Sequence, residues 1–170
     1  MSQVILPRTG ILSFMDDESR ERLAEYGKQV TTTPGQILIR EGELSHHLYI
    51  VLKGILNVTT IASGKTVLLD TVCEGDCLGE VSIFHPDRAS ATVASLIAGE
   101  LWIIDATALQ KFLLESPNDG CAAILGINIV LSRRLKKANA VIRSNEIVPS
   151  FLSVRSQKHT QPLADLLKKR

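Results

Sequence analysis

Gly75-Asp-Cys-Leu-Gly-Glu-Val-Ser-Ile-Phe-His-Pro-Asp-Arg-Ala-Ser-Ala-Thr-Val93 is the stretch on which the reading of this chain turns. Two glycines four apart lead into a carboxylate, Glu80. A short apolar turn of helix, Val81 to Phe84, follows, then a loop with Pro86, and then small residues that enter a strand. A helix that opens just after Gly79-Glu80 leaves backbone N–H groups free at its N-terminus, where they attract an anion. Glu80 beside such a site is better suited to accept hydrogen bonds from hydroxyls than to face a phosphate. Hydroxyls on one side and phosphate on the other are what a nucleotide requires.

The same residues resemble the phosphate-binding cassette of the cyclic nucleotide-binding domain family, as in the effector domain of the catabolite activator protein. That cassette reads Gly-Glu, a short helix, a loop, then Arg-Ser/Thr-Ala-x-Val. Gly79, Glu80, Ser90, Ala91 and Val93 match it. The arginine does not: the register through Ser90-Ala91-Thr92-Val93 sets Ala89 at its position, with Arg88 one place early. Further similarities fall in family order on both sides: Pro34-Gly35-Gln36, Arg40-Glu41-Gly42-Glu43, Leu48 to Gly54, and Glu74-Gly75-Asp76.

The resemblance implies a fold, a ligand and a site. The fold is mainly β with flanking helices, a β-barrel or jelly roll over about 30–104 plus a long last helix over about 121–144, together a domain of 1–144. The ligand is cAMP or cGMP. Glu80 would take the ribose 2′-hydroxyl, with Gly79 and Val81 beside it, and Ser90 with the amides around Ala89 and Ala91 would cradle the phosphate. The last helix would cap the pocket, bring Asn139 to the base and form a homodimer seam.

Arg88 has two readings. In one it turns into the pocket and takes over the phosphate; in the other Asp87 holds it in a local ion pair facing solvent. Loss of the arginine from a buried phosphate costs about 3–5 kcal/mol, which is roughly two to four decades of affinity. Two functions follow, a regulatory sensor of a cyclic nucleotide, or a non-binding relative that serves as a dimeric scaffold or senses another small molecule.

Composition agrees with a globular domain. The chain has 170 residues, 45 % hydrophobic, and a net charge of +1, so it buries roughly 70 % of its unfolded surface and carries no overall basic footprint for nucleic acid. Three cysteines argue against a disulfide framework and for a reducing cytoplasm. The N-terminus has no basic region followed by an apolar core, and the longest apolar run, Cys121 to Leu131, is interrupted by Asn128 and too short for a membrane span.

Outward from the cassette, a first helix is expected over about Asp16 to Tyr26, with Asp16 or Asp17 as cap and Phe14, Leu23 and Tyr26 as apolar anchors. Strand-like runs then alternate with glycines, and Ser63-Gly64 reads as a hairpin turn. Ala106 to Glu115 reads as a helix capped by Asp105. Ser116 to Gly120 reads as a break, and the long helix follows, with Ile124, Ile127, Leu131 and Leu135 on one stripe and Gly126 weakening it modestly. The segment 145–170, with two prolines, reads as a solvated or partner-docked tail and lacks the packed helices of a DNA-binding module. Adjacent histidines at 46 and 47 on a strand would point to opposite faces, which argues against one shared metal ion. No nucleophile, base or cluster pattern supports catalysis.

Overall fold

The computed structural model describes residues 4–85 and 87–144, and the tail expected over 145–170 lies outside them. A short 3-10 turn (Gly10–Leu12) precedes α1 (Asp17–Ala24). Ten strands follow: β1 (Lys28–Thr32), β2 (Ile37–Ile39), β3 (Leu44–Ser45), β4 (His47–Lys53), β5 (Ile55–Ala62), β6 (Lys65–Cys73), β7 (Cys77–Leu78), β8 (Asp87–Arg88), β9 (Thr92–Ser95) and β10 (Gly99–Asp105). Two helices close the described chain, α2 (Ala106–Glu115) and α3 (Pro117–Ser144). By compactness it divides into two units, Met1–Ser132 and Arg133–Arg170.

All pairings are antiparallel. One sheet runs β1-β10-β4-β7, the second β2-β9-β5-β6, and β3 pairs with β8 alone. Successive residues of a strand face opposite sides, and β4 and β10 use this to serve two cores. Leu48 and Ile50 of β4, with Trp102 and Ile104 of β10, pack with residues of the helices and the N-terminal segment. Tyr49, Val51 and Leu101 face the other way and join Leu56, Val72, Leu78 and Val93. That second cluster is the interior of the roll.

Local chemistry accounts for the element ends. Asp16 and Asp105 accept from the N–H groups of Ser19 and Ala108, both at 2.8 Å, and so cap α1 and α2. At the β5–β6 turn Ser63 and Gly64 both have positive φ, 52° and 74°, as the twist of a two-residue hairpin demands. The last helix begins at Pro117 and not at Cys121, because proline is well suited to the first helical position, where its missing N–H is no loss. Phe14 is 53 % exposed and anchors nothing; Leu12 and Met15, at 0 % and 1 %, enter the core in its place.

The first turn of α3 is tied to α1. Arg22 Nε and Ser19 Oγ donate to the two oxygens of Asp119 at 2.7 and 2.8 Å. The Arg22 guanidinium holds the Asp119 carboxyl below its ordinary range, with Ser19 adding to the effect. A carboxyl with a depressed folded value contributes stability above its unfolded value and loses it as pH falls through the folded one. Asp119→Asn is therefore expected to lower stability by about 1 kcal/mol at neutral pH, a figure discounted for the part-exposed arginine. The difference from wild type should fade below about pH 4, as thermal melts across pH will show.

Candidate functional site

The cassette begins where β7 ends. β7 is held to β4 through Tyr49↔Leu78 and Ile50↔Cys77, and the next residue, Gly79, has φ +79°. A Cβ there would lie 2.0 Å from the His47 carbonyl oxygen. Only glycine meets both demands. The chain then makes one hydrogen-bonded turn and not a full helix. Ile83 N–H donates to the Gly79 carbonyl at 2.9 Å and His85 N–H to that of Val81 at 3.1 Å. Ile83, 4 % exposed, anchors this turn in the helix-side core; its apolar character and its place three residues past Glu80 were the sequence signal for that role.

Glu80 is 5 % exposed, one of five buried polar or charged residues among those described. Val81 and Phe84 sit on the open side of the turn, 60 % and 48 % exposed. The turn thus buries its carboxylate and exposes two apolar side chains, the reverse of what solvation alone would favour.

The second half of the cassette is set by β8. Leu44 pairs with Arg88 and Ser45 with Asp87. Ala89 continues the pairing, its N–H donating to the Glu43 carbonyl and its carbonyl accepting from Gly42 N–H, both at 2.8 Å. Arg88 is exposed, and its guanidinium donates to the Gly42 carbonyl at 2.7 Å. Asp87 accepts from the backbone N–H of Arg88 at 2.6 Å, so the two side chains do not form the ion pair that one sequence reading expected. Ser90 is exposed and Ala91 half-buried. Among the described residues no hydrogen bond engages the Ser90 hydroxyl or the N–H groups of residues 90 and 91. Val93 is buried in the roll interior. Asn139 is exposed and belongs to the Arg133–Arg170 unit.

The histidines depart from expectation in geometry. His46 falls in the break between β3 and β4, so its ring and that of His47 do not diverge as neighbours on one strand would. Their centroids lie 4.3 Å apart at 33°. Burial, and then the neighbouring His46, push the His47 imidazole down from its ordinary value. Among the described residues no group of three or more His, Cys, Asp or Glu is placed to hold a metal ion. Cys73 is exposed, and its hydrogen bond to Asp76 pushes the thiol up, away from a reactive thiolate.

A strand-and-turn roll with a buried glutamate after a left-handed glycine, followed by a Ser-Ala pair with free amides, matches one known family. The profile described as "Cyclic nucleotide-binding domain" covers residues 29–116. The chain belongs to the cyclic nucleotide-binding domain family. It is 28 % identical over 109 residues to the cAMP-dependent protein kinase regulatory subunit of Schizosaccharomyces pombe, covering 64 % of this chain and 26 % of that protein. It is 26 % identical over 136 residues to the CRP-like cAMP-activated global transcriptional regulator of Mycobacterium tuberculosis, covering 79 % and 59 %. This chain thus spans only part of the length of both relatives. A cyclic nucleotide-binding domain from Methylobacillus flagellatus has the same fold, with a TM-score of 0.74 at 19 % identity over 79 % of this chain and 76 % of that one. The family is a regulatory one, and the fold is its jelly roll with flanking helices. Among the described residues no helix is long and apolar enough to cross a membrane.

Proposed function

We propose that this chain is a regulatory sensor module that holds a cyclic nucleotide, cAMP or cGMP, without the cassette arginine and therefore weakly. The observation that carries the reading is Glu80, buried directly after the left-handed Gly79. In the matched family motif this glutamate takes the ribose 2′-hydroxyl, and Glu80 stands at its position. Gly79 and Val81 frame that contact. Ser90 and the free amides at 90 and 91 take the phosphate. Ala89 contributes only its position, since its own N–H is engaged with Glu43. In this reading α3 also forms a homodimer seam.

The position of Arg88 revises its expected role. Its guanidinium is occupied by the Gly42 carbonyl and faces solvent, so it is not assigned to the phosphate. That observation also favours a second reading, in which the pocket no longer takes a cyclic nucleotide and the domain acts through protein contacts.

Titration calorimetry with cAMP and cGMP separates the two. The sensor reading expects dissociation constants of roughly 10 μM to 1 mM, given the missing charge-assisted contacts. Glu80→Ala is expected to weaken binding by about tenfold or more, the worth of a hydrogen bond to a charged group. Arg88→Ala should change it less than about twofold, since an exposed side chain engaged with the Gly42 carbonyl contributes little to the pocket. No heat from a folded protein with either nucleotide, even at millimolar concentration, decides for the second reading.

A further inference from the structure

Beside the cassette, and using none of its residues from 79 to 91, lies a cavity of about 230 Å³. Ser45, Tyr49, His46, His47, Arg40 and Glu43 line it, over an apolar wall from β2. Ser45 and Tyr49 are 7 % and 8 % exposed. Among the described residues neither hydroxyl has a hydrogen-bond partner, yet no fully sealed side-chain oxygen is left unsatisfied, so both oxygens open onto the cavity. Buried hydroxyls without partners are uncommon in folded proteins and call for an explanation.

The remaining groups on the wall are mostly donors. The imidazoles of His46 and His47 are held together 4.3 Å apart, and in any protonation state each offers at least one N–H. Burial pushes the Tyr49 phenol up, so it stays protonated and able to donate. The one lining carboxylate, Glu43, is already paired with Arg40 at 3.4 Å. Asp87, which lies across from Ser45 in the β3–β8 pair, is exposed and turns its carboxylate to the N–H of Arg88.

We infer that this cavity is a ligand site separate from the nucleotide cradle, in which Ser45, Tyr49, His46 and His47 bind a small oxyanion, a phosphate or a carboxylate. Two hydroxyls and two imidazoles converge there with no acceptor of their own. The inference does not depend on the cyclic nucleotide reading. Because β3 also pairs with β8, an occupant would touch the strand that sets the register of Ala89 and Ser90.

The imidazole C–H resonances of the whole chain report the site directly. Inorganic phosphate and, separately, propionate are titrated into the wild type, a Ser45→Ala/Tyr49→Phe double variant, and Ser90→Ala. The expected result is a saturable shift of the His46 and His47 signals with at least one probe, while His85 in the cassette turn stays still. The double variant, close to isosteric and expected to fold, should bind about tenfold more weakly, and Ser90→Ala should bind as wild type does. The probe that saturates tells phosphate from carboxylate. Shifts that do not saturate with either probe, or that are equal in wild type and the double variant, overturn the inference. So do shifts lost in Ser90→Ala, which would place the anion in the cassette.

Discussion

Replacing Ala89 with arginine is expected to tighten the binding of cAMP or cGMP by roughly two to four decades. The geometry of β8 is the reason. Ala89 is fixed on both sides of its peptide by Gly42 and Glu43, and side chains alternate along such a pairing. Arg88 leaves on the outer face with its partner Leu44, which is 72 % exposed. Position 89 therefore projects to the face opposite Arg88. In the sensor reading, a guanidinium delivered there would meet a phosphate held by Ser90 and its neighbouring amides, whereas lengthening or moving Arg88 would not. Calorimetry on Ala89→Arg, alone and with Glu80→Ala, gives the measure. An affinity unchanged by the new arginine would show that no cyclic phosphate sits in the cradle.

Gly126→Ala in α3 should destabilise the protein by about 3 kcal/mol or more. On helix propensity alone the substitution would stabilise by about 1 kcal/mol, so the expected sign is opposite to the local one. A Cβ at 126 would stand 1.8 Å from the carbonyl oxygen of Ile11 and 2.6 Å from its carbon. These are backbone atoms of the 3-10 turn, which is pinned by Leu12 N–H to Thr9 at 3.0 Å and has Ile11 and Leu12 buried. The helix or the turn must move. Denaturant unfolding of the variant will show the loss, and a stability equal to or above wild type would mean that α3 does not approach the turn this closely.

The two substitutions illustrate how differently fold and site are written in the chain. Strand runs, the Ser63-Gly64 turn and the caps at Asp16 and Asp105 were legible, because each rests on interactions within a few residues. So was the family, since its turn glycines and its Gly-Glu and Ser-Ala pairs sit at fixed intervals. The three two-residue strands, Leu44–Ser45, Cys77–Leu78 and Asp87–Arg88, were not legible, because two residues carry no period. The start of α3 was missed because Ser116 to Gly120 reads as a breaker when Pro117 is not set at the first helical position.

What the sequence by itself determined is the roll, its turns and the family. Those follow from local periodicity, turn chemistry and register. Only the tertiary structure decided where Arg88 goes, because its direction is set by pairing with Leu44, forty-four positions away in the chain. It alone also showed that Gly126 is a contact and not a weak point, that His46 and His47 face each other, and that Ser45 and Tyr49 open onto one cavity. Each of these depends on backbones brought together from distant segments, and no window of neighbouring residues carries that information.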